Sequence, residues 1–190
     1  MPIINCRLTS SLAVTMLVTL LMAPLLSGCG AKHSPLKTVE LVDIPRFMGD
    51  WYVIANIRTW IEEGAHNAVE SYRLEKDGTI ATTFTFRKGS FDGPVKTYHP
   101  RGFVRDTGTN AEWDMRFIWP LKAEYLIIYL DEGFTQTVIG RTKRDYVWIM
   151  ARSPAIPEED YAKIVAYLAT QGYDISKLQK VPQRWPDQRN

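Results

Sequence analysis

The sequence predicts an all-β domain: an eight-stranded antiparallel up-and-down barrel with one C-terminal α-helix packed outside it. Three observations carry this. From Gly49 onward, apolar and polar residues alternate in short runs at intervals of roughly ten residues, with turn residues between them. After Arg152 the pattern switches once, to helical spacing. Eight such strands suffice to close a barrel, which removes exposed sheet edges and can hold one small ligand.

The strands follow in order. Trp51–Ile57 is the first and Ala68–Leu74 the second, ending at Lys76-Asp77-Gly78, the strongest hairpin signal in the chain. Thr79–Phe86 alternates cleanly, with Ile80, Thr82, Phe84 and Phe86 on one face. Val95–Val104 is a fourth strand interrupted by Pro100, which has no N–H for a ladder and so marks an edge or a bulge. Trp113–Ile118, Tyr125–Leu130, Thr135–Gly140 and Tyr146–Ala151 complete the set. Pro157 then stands at a first helical position, and Glu158, Glu159 and Asp160 complement the helix dipole. Tyr161, Ile164, Val165 and Leu168 follow at i, i+3, i+4 and i+7, and Gly172 is the stop.

The chain has 190 residues, 45% hydrophobic and 23% charged, with a net charge of +2. That suits one domain with its own core and excludes a disordered polymer, a collagen or a multispanning membrane protein. A charge this close to neutral gives no reason to expect a nucleic-acid partner. Aromatic residues make up 12%, which implies either a heavily aromatic core or a cavity with aromatic walls.

Residues 1–28 read as a signal peptide. Arg7 precedes an uncharged apolar run, Leu12–Leu26, that is short for the ~20 residues of a membrane span. Leu26-Ser27-Gly28-Cys29 resembles the bacterial lipobox, which implies cleavage before Cys29 and attachment of acyl chains (palmitate among them) to that residue. Gly30 stands where the resemblance would place Asp in a protein retained on the inner membrane, so the outer membrane is implied, on its periplasmic face. Cys6 leaves with the signal, so no disulfide and no cysteine nucleophile remain. Residues 29–38 read as a lipidated tether, 39–182 as the domain and 183–190 as a C-terminal tail.

Val42-Asp43-Ile44-Pro45-Arg46-Phe47-Met48-Gly49-Asp50-Trp51-Tyr52-Val53-Ile54-Ala55 resembles the opening of the lipocalins, including their Gly-x-Trp signature. The branch it is most similar to is the bacterial outer-membrane lipocalins related to apolipoprotein D. Leu130-Asp131-Glu132-Gly133-Phe134 is similar to the second family motif in degraded form, with Gly133 where an acid is usual and Phe134 where Tyr is common. Trp148-Ile149-Met150-Ala151-Arg152-Ser153-Pro154 resembles the third, which carries an arginine, and Gly172–Leu178 is also similar to the bacterial branch. The resemblance implies structural roles for Gly49, Trp51 and Arg152: the guanidinium stacks on the indole and shuts one end of the barrel, a contact worth roughly 1–2 kcal/mol.

Alternate positions then place Val53, Ala55, Tyr72, Ile80, Thr82, Phe84, Phe86, Met115, Phe117, Ile127 and Trp148 on the inward, ligand-facing wall. In strands five to seven a slip of one residue would invert the assignment. The links at the opposite end bring Trp60, Ile61, Phe91, Trp119 and Leu121 together with Arg58, Arg87, Lys88, Lys122, Arg141, Lys143 and Arg144. An apolar rim mixed with cations suits an amphiphile with an anionic head, so the expected ligand is a fatty acid or a lysophospholipid. Two other readings stand beside the carrier: a lipocalin-fold enzyme acting on a lipid, and an envelope interaction module with a filled barrel. Against an enzyme, His33, His66 and His99 are dispersed, and no nucleophile elbow or phosphate loop occurs. No cofactor, metal or catalytic residue is implied.

Overall fold

A computed structural model describes residues 33–118 and 121–186. A four-residue helix, α1 (Ile44–Phe47), precedes strands β1 (Gly49–Ile57), β2 (Ala65–Leu74), β3 (Ile80–Lys88), β4 (Val95–Tyr98), β5 (Arg101–Asp106), β6 (Glu112–Ile118), β7 (Leu121–Leu130), β8 (Gln136–Gly140) and β9 (Val147–Ala151). Helix α2 (Glu158–Thr170) and a two-residue strand β10 (Gln179–Lys180) follow. Neighbouring strands pair antiparallel around the sheet, and β1 pairs with β9 to close it. The barrel is eight-stranded because β4 and β5 are one stave broken at His99–Pro100. β4 pairs with the mouth half of β3, and β5 pairs with its other half and with β6.

Five register shifts interrupt the ladders among the described residues, two of them in β5–β6 and β6–β7, and they set which residues face inward. Ile54 is an extra residue between the pairs Val53↔Met150 and Ala55↔Ile149. The period of two is thereby reset, so Ala55 faces outward beneath α2 and Asn56 takes the inward place. The expected ligand-facing role of Ala55 is therefore wrong. A second bulge lies between His66 and Val69, at Asn67 with φ +49°, and a third between Ile127 and Tyr129.

The apolar residues form two clusters. Inside the barrel lie Trp51, Val53, Tyr72, Ile80, Phe84, Phe86, Trp113, Met115, Ile127, Ile139 and Met150, with Phe47 of α1 beneath them. Outside, Ile164 and Leu168 of α2 bury against Ile54, Ala55, Ile128, Val147 and Ile149. Pro157 is the N-cap of α2 rather than its first helical residue, and three acidic residues fill the first turn as expected.

Both ends of the domain extend further than expected. Leu36, assigned to the tether, is buried in the outer cluster, and the Ser34 carbonyl accepts from Arg144 Nη1 at 2.6 Å. At the other end, β1 and β2 part after Tyr52↔Val69, and the C-terminal segment fills the split. β10 pairs with Ala55 and Asn56, Val181 N–H donates to Ile54, Asn67 N–H donates to Pro182, and Gln183 Nε2 donates to Val53 and Ala68. Residues 183 and 184, expected in a tail, thus belong to the barrel wall.

Candidate functional site

The floor is shut by Arg152. Its guanidinium carbon lies 3.9 Å from the Trp51 ring centroid. Nη1 donates to the Asp50 carbonyl at 2.8 Å, and Nη2 donates to those of Arg46, Phe47 and Met48 at 2.8–3.0 Å. Trp51 Nε1 also donates to Phe47 O at 2.8 Å. Gly49 has φ +93°, and a Cβ there would come within 3.4 Å of Arg152 Nη1. The degraded second motif is held by other means. Asp131 accepts from Thr135 N and Oγ1 and from Gln136 N, while Arg46 stacks 4.0 Å over Phe134.

Above the floor the barrel is solid. Phe47 packs edge-on to Trp113 at 5.5 Å, Trp113 stacks on Tyr125 at 5.2 Å, and Tyr72 meets both Trp113 and Tyr125 edge-on. Val53, Tyr72, Ile80, Thr82, Met115 and Ile127 all point inward, but into this packed half, and Phe86, inward in the mouth half, packs on Phe84 and Tyr98. The mouth half is hollow. A cavity of about 280 Å³ opens there, walled by Trp60, Ile61, Phe84, Phe117, Tyr146 and Trp148, with Lys122 and Arg141 at its rim. Of the expected ligand-facing residues, Phe84, Phe117 and Trp148 therefore reach the cavity. Cys29 and Trp119 lie outside the described residues, as does the side chain of Leu121.

Two buried carboxylates, Glu62 and Glu70, also line the cavity, where only apolar and aromatic walls are expected from the sequence. Glu62 stands in the turn after β1 and is saturated with donors. Its Oε2 accepts from Thr59 N and Oγ1, both at 2.9 Å, and its Oε1 accepts from Trp148 Nε1 at 2.5 Å and Asn56 Nδ2 at 3.3 Å. Glu70, on β2 between Trp51 and Phe84, takes the Tyr72 hydroxyl on Oε2. The Tyr72 and Tyr125 hydroxyls are 2.7 Å apart. Burial, and then the charge of Glu62, push the Glu70 carboxyl up to about 8. Burial also pushes the Tyr125 phenol well up, with Glu70 adding to the effect. The signal for Glu70 was present, since it stands two residues before Tyr72 and shares its face.

Three of the rim cations have acidic partners, although the buried Nε of Arg141 has no hydrogen-bond partner among the described residues. Arg141 pairs with Asp145 at 3.2 Å, Lys122 with Asp114 at 3.0 Å and Arg58 with Glu63 at 3.5 Å. Among the described residues no group of three or more His, Cys, Asp or Glu is placed to hold a metal ion. No helix among them is long and apolar enough to cross a membrane.

A family model described as a lipocalin-like domain matches residues 42–183. The chain belongs to the lipocalin family. It is 30% identical over 162 residues to temperature-induced lipocalin-1 of Arabidopsis thaliana, covering 78% of this lipocalin and 83% of the plant protein. It is 28% identical over 158 residues to the outer membrane lipoprotein Blc of Escherichia coli (strain K12), covering 81% and 88%, and 24% identical over 153 residues to bovine apolipoprotein D, covering 77% and 78%. Among solved structures, insecticyanin from the tobacco hornworm superposes with a TM-score of 0.64 at 12% identity, over 82% of this lipocalin and 87% of that chain. The cockroach allergen Per a 4 gives 0.59 at 18% identity, over 80% and 96%. At these identities the two structures share the fold.

Proposed function

We propose that this lipocalin takes up small amphiphilic lipids, fatty acids or lysophospholipids among them, in its mouth cavity while acyl chains on Cys29 hold it at the periplasmic face of the bacterial outer membrane. The aromatic-walled cavity, open at the mouth over a packed floor, carries the uptake. Membership of the lipocalin family supports it. The lipobox-like Leu26–Cys29 and the likeness to an outer membrane lipoprotein support the anchor.

The cavity limits how much of a lipid enters. At about 30 Å³ for each water-sized group, some 280 Å³ holds about nine of them. Burying about nine methylenes at ~0.8 kcal/mol each gives about 7 kcal/mol gross. Association costs of at least about 4 kcal/mol then leave about 3 kcal/mol, a millimolar affinity from apolar contact alone. Tighter binding therefore requires a polar contact inside the cavity.

Trp60 and Trp148 report directly on occupancy. Delipidated protein titrated into the millimolar range with ten-carbon fatty acid and lysophospholipid is expected to show a saturable change in tryptophan fluorescence. A flat titration with both lipids would overturn the uptake. Mass spectrometry of membrane-extracted protein tests the anchor: a mature chain beginning at Cys29 with the added mass of acyl chains is expected, and an unmodified Cys29 would remove it.

A further inference from the structure

We propose that the cavity selects amphiphiles bearing an ammonium group, which pairs with the free oxygen of Glu70 while its apolar body lies against the aromatic wall. This rests on the reading of the cavity as the ligand site. Glu70 is only 8% exposed, yet it contributes to the cavity lining. Its Oε2 is engaged by Tyr72, and among the described residues nothing donates to Oε1. That oxygen is not sealed in the wall but open to the cavity, where a ligand can donate to it.

The surrounding charges decide the sign of that ligand. Glu70 is faced by Glu62 from the turn after β1, by Tyr72 on its own strand and by Tyr125 on β7, with Lys122 and Arg141 at the rim. Glu62 has both oxygens occupied by four donors. Among the described residues no cation forms an ion pair with either glutamate, and both rim cations face acids of their own. An entering anion meets the charge of Glu62, whereas an ammonium group is attracted by it. Trp60 and Trp148 add aromatic surface, which attracts cations and not anions, while the Tyr146 ring is already covered by Arg141 at 5.0 Å.

The consequence is a pH dependence of definite direction. Because the Glu70 carboxyl titrates at about 8, a permanent cation must displace its proton at neutral pH. The affinity of such a ligand rises roughly tenfold per pH unit up to about pH 8. That of a carboxylate ligand is nearly flat up to pH 7 and falls only about twofold by pH 8.

Three probes with the same tail, decylammonium (cationic across this range and bearing N–H donors), decanol and decanoate, are titrated by calorimetry at pH 6, 7 and 8 into the full chain and into Glu70→Gln. The expected result is tightest binding of the ammonium probe, with the rising slope, and a flat pH profile in Glu70→Gln. Binding of the ammonium probe no tighter than decanol, or without the slope, overturns the proposal and leaves the uptake reading standing. If none of the three binds, both fall.

Discussion

Replacing Glu70 by Gln should make this protein more stable, and increasingly so as pH rises. In the folded state the carboxyl titrates at about 8, against an ordinary value of 4.5, because burial and then Glu62 oppose its charge. Between those values the folded protein holds a proton that the unfolded chain has released. Wild-type stability therefore falls as pH rises, is highest with respect to this group below about 4.5, and levels off above about 8. Each pH unit inside the window is worth about 1.4 kcal/mol, so about 4 kcal/mol accumulates between pH 5 and pH 8. That is a large share of the 5–15 kcal/mol typical of a domain. Gln preserves the shape and a carbonyl oxygen for the Tyr72 hydroxyl but has no charge to desolvate. Urea unfolding of both proteins at pH 5, 6, 7 and 8, followed by circular dichroism, measures the difference. The gap is expected to widen at every step. Curves that remain parallel across the window would refute the placement of this carboxyl in a dry interior.

Arg152→Ala is expected to cost about 3–5 kcal/mol, since it strips a charged donor from the carbonyls of Arg46, Phe47, Met48 and Asp50 and uncovers Trp51. Arg73→Ala, at a side chain 78% exposed and paired only with Glu75, is expected to change stability by less than about 1 kcal/mol in the same thermal melts. Deleting residues 181–190 removes the Pro182 carbonyl from Asn67 N–H, so hydrogen exchange at Asn67 should accelerate to the rate of an open strand edge while amides of β6 keep their protection. Gly140→Ala places a Cβ 2.6 Å from the Tyr173 hydroxyl and 2.9 Å from Ile128 Cδ1, and should lower stability by about 1–3 kcal/mol in urea titrations.

What was legible in the sequence follows from how local each signal is. The eight staves, the turn at Gly78 and the helix ending near Gly172 rest on periods of two and 3.6, and these survive in the fold because one face of each element is buried. Bulges break that periodicity without any marker in composition, which is why Ala55 was assigned to the wrong face while Met115, Phe117 and Ile127 were not. α1 and β10 are too short to carry a period. Leu36 and Arg144 read as tether and surface charge because their partners, Gly140 and the Ser34 and Gln171 carbonyls, are far away in sequence. Glu62 and Glu70 were missed for a different reason: a search for apolar walls passes over an acid even when its parity is known.

On the proposed reading of the mouth as the ligand site, the two glutamates have different roles there. Both are buried acids on the wall of one cavity, and both carry the same desolvation burden. Glu62 offsets it with donors from Asn56, Thr59 and Trp148, and so ties the turn after β1 to the paired strands β1 and β9. Its charge has a structural role that needs no ligand. Glu70 has one hydroxyl donor on one oxygen, so its burial is left uncompensated in the protein alone. An apolar residue at that position would pack between Trp51 and Phe84 on the neighbouring strands without the penalty. The destabilisation from Glu70 is therefore what a recognition group contributes before its ligand arrives, and a ligand that donates to the free oxygen recovers part of it on binding. The cavity is too small for a long tail to dominate affinity. Discrimination among ligands thus falls to the head group, and to this one oxygen in particular.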